Sequence, residues 1–368
     1  VVPKFMVKAD GSLGDRNDVH CVSIEHKMGI KASPTAVLQF GDNGGGVGFL
    51  VGQENRGLEY MFIMMNAARY AVGVQGIAIA ERSYQRAVQY ARDRVQSRPV
   101  DGSLPAAGPI IHHPDVRRML MTMRAYTEGC RAMAATAAAA YDASHHHPDA
   151  EVRKQNAAFY EFMVPLVKGY STEMSLEVTS LGVQVHGGMG FIEETGAAQY
   201  YRDAKILTIY EGTTAIQAND LVGRKTARDG GQTAKALAAQ VAQTESELAA
   251  SGNADAQAVA RRLKAAREAF VDVVEFVAGN TKAHPNDVFA GSVPYLMLAG
   301  NLMAGWQMGR ALLVAITPEA QAQDAAFMAA KVTTARFYAD HILSKAPGIR
   351  DSIVEGAGSV TAMALDAF

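Results

Sequence analysis

LEYMFIMMNAARYAVGVQGIAIAERSYQRAVQYARDRVQ, residues 58–96, carries apolar residues at helical spacing for almost forty positions. It contains no proline, so nothing in it forces a break. The stretch reads as one long helix, and it sets the fold class because more of the same follows. After the looser SRPVDGSLPAAGPIIHH (97–113), Pro114 stands near the start of a second long helix, expected over 114–143 and rich in Ala and Met. SHHHPDAE (144–151) is the next break, and a third helix is expected over 149–182. QVHGGMGF (184–191) interrupts it with glycines, and shorter helices are expected near 196–204 and 213–227. Long helices joined by short loops indicate a helical bundle.

Upstream of residue 58 the pattern differs. VVPKFMV (1–7), DVHCVSIEH (18–26) and TAVLQFG (35–41) are short apolar runs broken by Gly, Asp, Asn and Pro, and they read as strands of a small antiparallel sheet. GDNGGGVGFLVG (41–52) is a turn-rich connector. Its glycines lack both the GxGxxG spacing and a capped helix behind them, which argues against a dinucleotide-binding loop. Downstream of ARDGGQT (227–233) the composition shifts to Ala-rich amphipathic helices over 233–250 and 254–279. Two more apolar segments, 294–316 and 319–346, complete what reads as an appended antiparallel bundle. The fold class is therefore α+β and mostly α, with part of a β-domain at 1–55, a helical domain at 56–228 and an additional helical domain at 229–368.

The chain has 368 residues, 49% hydrophobic, with 35 basic against 37 acidic side chains and a formal net charge of -2. Such balance gives no electrostatic reason to expect nucleic acid or an anionic membrane as partner. No unbroken apolar run reaches the ~18 residues of a membrane span. The opening VVPKFMVKADGSLGDRNDVH lacks a charged signal-peptide start and begins as if inside a strand, so the chain reads as the C-terminal part of a longer protein. Only Cys21 and Cys130 occur, without metal spacing, so a reducing compartment of bacterial cytoplasmic type is expected. The adjacent histidines 145–147 lack ligand spacing and read as solvated, Trp306 as packing, and the Met-rich YMFIMMN (60–66) as core.

One stretch asks for chemistry. In YEGTTAIQ (210–217), the carboxylate of Glu211 closes the apolar run 206–210 and is followed at once by Gly212. A glutamate asked to pull a weakly acidic proton gains basicity from an apolar surround. Three further blocks put this one in context. IEHKMGIKASPTAVLQF (24–40) resembles the Lys-x-Gly-x-Arg-x-Ser-x-Thr block of the acyl-CoA dehydrogenase middle domain, with Lys31 in place of Arg. YARDRVQSR (90–98) resembles the Tyr-x-x-x-Arg-x-Gln-Phe-Gly block, with Ser97 and Arg98 in place of Phe and Gly. LGVQVHGGMGF (181–191) and YRDAKILTIYEGTTAIQ (201–217) are similar almost residue for residue to the family's two strongest C-terminal signatures. Four blocks in family order over residues 1–225 are far more specific than any one.

The resemblance implies FAD-dependent α,β-dehydrogenation of an acyl-CoA thioester. A base takes the α-proton, and the β-hydrogen leaves as hydride to flavin N5. Glu211 matches the family's base. The alternative base position falls on Ala68, which cannot serve, and the neighbouring Arg69 resembles the arginine near the substrate entrance, or is a surface helix charge. Tyr210 and Gly212 fall on the substrate side. Thr213 and Gln217 resemble flavin-side contacts, although Thr213 could equally cap a helix. Gln184, Gly187 and Gly188 match the loop that reaches the FAD of a neighbouring subunit, or form a plain helix break. Arg94 matches the arginine paired with the cofactor pyrophosphate, or is a solvated helix partner. His113 lies near a flavin contact where the alignment slips by a residue. A cofactor shared this way implies at least a homodimer, and the family's usual acceptor is an electron-transfer flavoprotein.

The helices beyond 226 resemble the large subgroup with an added C-terminal domain, which includes bacterial long-chain and methylthiopropionyl-CoA enzymes. HPDVRRMLMTMRA (113–125) and SIEHKMGIKASPTA (23–36) lean toward the latter. The family's N-terminal helical domain and first half of its β-domain have no counterpart in this chain. Two alternatives follow: a structural piece without activity of its own, or a non-dehydrogenating, nucleic-acid-associated relative. The second should show a basic C-terminal domain, whereas RRLKAAREAFVDVVEF (261–276) mixes signs.

Overall fold

Four strands open the chain in the computed structural model, which describes residues 1–368 with the side chain of Ile63 set apart. Strands β1 (Phe5–Val7) and β2 (Leu13–Arg16) pair antiparallel, and so do β3 (Val19–Ile24) and β4 (Ala36–Phe40). The expected single sheet is thus two separate two-stranded pairs, and β2 was not anticipated. Its sequence, LGDR, has no apolar alternation to announce it. Asn17 holds this region together: its Nδ2 donates to the carbonyls of Pro3 (2.8 Å) and Val47 (2.9 Å), and its Oδ1 accepts from the N–H of Val47 at 2.9 Å. Around it the large apolar side chains are open, with Val22 63%, Ile24 59%, Phe40 50% and Leu50 72% exposed.

Residues 1–67 form one compact unit and residues 68–368 another. The second is helical. It takes in most of α1 (Gly57–Asp93), then α2 (Pro114–His146) and α3 (Ala150–Pro165). The helix expected over 149–182 is not continuous. Pro165 brings no N–H to the ladder, and a single wide π turn, Leu166–Tyr170, separates α3 from α4 (Ser171–His186). Helices α5 (Ala197–Lys205) and α6 (Thr214–Asp220) follow, the latter running into a second π stretch, Leu221–Ala227. Beyond come α7 (Gln232–Ala250), α8 (Ala254–Asn280), α9 (Pro285–Ala290) and α10 (Ser292–Ala315). The segment expected as one helix over 319–346 is cut into α11 (Pro318–Gln323) and α12 (Ala325–His341), because Asp324 leaves the ladder and caps α12 by accepting from Phe327 N–H at 2.9 Å. His145 and His146 sit in the last turn of α2 rather than in a loop, and His145 Nδ1 lies 2.9 Å from the Tyr141 carbonyl.

The helices before and after residue 228 share one core. The fully buried Tyr170 donates to Asn301 Oδ1 at 2.8 Å and lies 3.1 Å from the hydroxyl of Tyr338. Thr226 meets the hydroxyl of Tyr295 at 3.0 Å. These buried polar atoms are satisfied across the seam, which fixes the added helices in one register against the others.

By length and composition alone, α1 contains a window that could cross a membrane, with a mean hydropathy of 1.2. The expectation that no unbroken apolar run reaches a span stands, because Asn66, Arg69 and Gln75 interrupt this helix. In this protein Ile77, Ala80, Ala87 and Ala91 of α1 are buried in the bundle core, and Arg69 pairs with Asp220 of α6.

Candidate active site

The turn that carries Glu211 is built by two helix ends. After α5 the chain tightens into a 3-10 turn, Ile206–Thr208, which buries Leu207 and Thr208. Glu211 then adopts φ 56° and Gly212 φ 91°, before Thr213 opens α6. Positive φ is uncommon for a residue with a side chain and must be held by its surroundings. At Gly212 a Cβ would also lie 2.7 Å from Gln217 Nε2, so only glycine fits. Thr213 acts as the N-cap, accepting from Ile216 N–H at 3.3 Å, which leaves its O–H as a donor.

What holds the turn comes from elsewhere in the sequence. Lys168, on the π turn, is fully buried and donates from Nζ to the Gly212 carbonyl at 2.6 Å. Gln217, also fully buried, donates to the same carbonyl at 3.2 Å and to that of Glu211 at 3.5 Å. Thr214 donates to the Glu173 carboxylate on α4, and Tyr210 to the side-chain oxygen of Gln75 on α1. Burial draws the Lys168 ammonium down to about 8; the Glu173 and Glu211 carboxylates oppose that shift and the Arg69 guanidinium adds to it. Arg69 itself sits 3.7 Å from Asp220, and its Nε is buried without a hydrogen-bond partner.

Glu211 is half-buried, not enclosed as expected. Of that run Ile209 is 47% exposed. Tyr210, Glu211, Gly212, Thr213 and Gln217 come together by sequence, and Arg69 joins them through Asp220. A second group forms at the far ends of α1 and α4. Arg94 and Gln184 are exposed there, and Gly187 takes φ 58° with open space around it, as Gly188 also has. The two elements are tied by Tyr90, whose ring stacks on His186 at 4.3 Å. His186 Nδ1 lies 2.7 Å from the Gly182 carbonyl, its Nε2 is buried without a partner, and burial lowers its pKa. No hydrogen bond or ion pair among the described residues joins this group to the Glu211 turn. His113 meets the Gln96 carbonyl at 2.8 Å, two residues past Arg94.

Lys168, Glu173, Gln75 and Asp220 were not singled out in the sequence. Lys168 left one readable sign: it is a lone charge in the apolar stretch FMVPLVKGY, three residues after a proline. A large anionic cofactor fits the chemistry of this donor set. Thr213 keeps a hydroxyl donor, and Arg94 and the open Gly187–Gly188 backbone offer a cation and approachable N–H groups, while the buried, unpaired Gln217 Oε1 is an acceptor for an N–H or O–H of such a group.

Comparison with known proteins places these residues in context. The family model described as "Acyl-CoA dehydrogenase, C-terminal domain" matches residues 55–226, and "Acetyl-CoA dehydrogenase C-terminal like" matches residues 234–364. A 3-methylmercaptopropionyl-CoA dehydrogenase of Ruegeria pomeroyi is 54% identical over 99% of this chain and 61% of its own length. A broad-specificity linear acyl-CoA dehydrogenase of Mycobacterium tuberculosis is 37% identical over 96% of this chain and 60% of its own length. The chain thus spans about three fifths of these relatives. Among solved structures, an acyl-CoA dehydrogenase of Bacillus anthracis complexed with FAD superposes with a TM-score of 0.72, covering 95% of this chain and 59% of that one at 23% identity. At that identity the likeness speaks to the fold alone.

Proposed function

This chain belongs to the acyl-CoA dehydrogenase family, and on that premise we propose that the protein carrying it oxidises an acyl-CoA thioester to the α,β-unsaturated thioester. The observation that carries the reading is the Glu211–Gly212 turn, a carboxylate held at positive φ by buried donors within the family's own signature. In this reading Glu211 takes the α-proton. An α-hydrogen beside a thioester is a weak acid, so the base has to be aimed and has to stay aimed. Tyr210 and Gly212 border the acyl group, and Arg69, anchored by Asp220, lies on the substrate side. Gln217 and Thr213 would hold FAD from one side, and Arg94, Gln184, Gly187 and Gly188 would hold the cofactor of a second subunit, which makes the working form a homo-oligomer. Bound FAD supplies the two-electron acceptor for the β-hydrogen. An electron-transfer flavoprotein is the proposed onward acceptor, and a reducing cytoplasm the proposed compartment, in keeping with two unpaired cysteines.

For the acyl group we propose a short thioether chain, the 3-methylmercaptopropionyl group for which the 54% identical relative is named. The test is the visible spectrum of the purified flavin-containing protein under anaerobic addition of an acyl-CoA panel. Bleaching by the thioether substrate ahead of butyryl- and palmitoyl-CoA supports the assignment; preferential bleaching by a long chain overturns it. A second reading is favoured by the open apolar side chains of residues 1–67: residues 1–368 alone are a non-catalytic piece of such an enzyme. A colourless preparation of residues 1–368 that takes up no added FAD supports that reading, and a yellow one rejects it.

A further inference from the structure

We infer that Lys168 is a positioning residue for this reaction: its ammonium clamps the Gly212 carbonyl and so keeps the Glu211 carboxylate aimed at the substrate. The inference rests on the reading of Glu211 as the base.

Three observations lead to it. First, Lys168 is fully buried, and a buried ammonium is kept only where it has a partner. Among the described residues its one hydrogen bond is to Gly212, at 2.6 Å, on the peptide that directly follows Glu211. Second, that peptide needs holding. Glu211 at φ 56° and Gly212 at φ 91° lie outside the backbone region a glutamate prefers, and an unheld turn would relax away from it. Third, the local helix is deformed to deliver the side chain. The wide turn Leu166–Tyr170 follows Pro165, and Thr172 donates back to the Lys168 carbonyl at 2.8 Å. Gly169 lets α6 come close, since a Cβ there would lie 3.1 Å from Gln217 Cβ. Lys168 and Gln217 thereby reach one carbonyl from two elements, and their two donors fix its direction.

The charged groups that act on Lys168 are Glu173 on α4, Arg69 on α1 and Glu211 itself. Burial and Arg69 bring its ammonium down to about 8, so the clamp weakens as pH rises through that value. A guanidinium in its place would not titrate there.

The test compares Lys168→Met and Lys168→Arg in the flavin-containing protein, with Glu211→Gln alongside. Lys168→Met should lower kcat about 10- to 100-fold with KM within a few-fold, the scale of a misplaced catalytic group. It should also raise hydrogen exchange in the peptide covering 207–217. Lys168→Arg should restore most of both, and should move the alkaline fall of kcat to higher pH. Wild-type kcat and unchanged exchange in Lys168→Met overturn the inference. If Lys168→Met does not fold, the Arg variant decides, and an alkaline limb identical to wild type overturns it. If Glu211→Gln keeps its turnover, the base assignment fails instead, and the exchange data still judge the clamp.

Discussion

Replacing Gly212 with Ala should destabilise the protein through the Glu211–Gly212 turn, and the cost can be worked from the backbone. At φ 91° an L side chain is strained by about 1–2 kcal/mol. The new Cβ would lie 2.7 Å from Gln217 Nε2, inside contact distance, so the end of the buried Gln217 side chain must shift. Moving it breaks its 3.2 Å bond to the Gly212 carbonyl, a loss of about 1 kcal/mol. The sum is about 2–3 kcal/mol. For a unit of about 300 residues, at about 2.1 cal/mol/K of unfolding entropy per residue, that lowers Tm by roughly 3–5 °C. Thermal unfolding followed by circular dichroism reads the shift. Gly348→Ala is the control: it sits in α13 (Ala346–Val354) with nothing within 4 Å of the added Cβ, so its Tm should hold or rise slightly. A Gly212→Ala protein that melts within about 1 °C of wild type, beyond which the strain estimate predicts a shift, would refute the account of a strained turn.

Three further outcomes are expected. Gly300→Ala places a Cβ 2.2 Å from Tyr170 Cγ, so overpacking across the shared core should cost about 3 kcal/mol or prevent folding, read as Tm or soluble yield; a neutral result would mean that α10 does not pack on the π turn as described. His186 has its folded pKa lowered by burial from 6.5, so the unfolded chain binds more protons as pH falls through that value. Its stabilising term is therefore present above about pH 6.5 and lost on acidification. The Tm of wild type should drop more between pH 7.5 and 5.5, a window spanning roughly one unit either side of an ordinary histidine, than the Tm of His186→Phe, which keeps the stack on Tyr90; parallel curves would contradict this. Trp306→Phe removes the donor to Thr244 and should cost about 1–2 kcal/mol, seen as a lower Tm; an unchanged Tm would say that this bond between α7 and α10 contributes nothing.

The parts of the molecule visible in the sequence are those with local causes. The helix over Gly57–Asp93 was legible because its period persists and no proline interrupts it. The cap at Thr213 was legible as a residue type, and it does accept from Ile216. The π turn was not, since a lone wide turn leaves the apolar pattern nearly unchanged on either side of it. Nor was the break at Asp324, although an Asp ahead of an Ala-rich run is an N-cap signal that could have been used. For the site, the sequence showed Glu211 and its immediate neighbours. It did not show their supports, because Gln75, Lys168 and Glu173 arrive from α1, the π turn and α4, and only packing brings them to one place. The same limit explains why Glu211 was read as enclosed by the run before it: a 3-10 turn redirects Ile209 outward, which linear order cannot reveal.

The most direct test of the central claim is single-turnover reduction of the flavin by 3-methylmercaptopropionyl-CoA, wild type against Glu211→Gln, at matched flavin content and saturating substrate. The account predicts that the wild-type visible band bleaches, while the variant binds the thioester and stays oxidised, slower by about 10²–10⁴-fold or more. A variant that bleaches at the wild-type rate would remove Glu211 as the base and, with it, the functional reason for a strained and clamped turn.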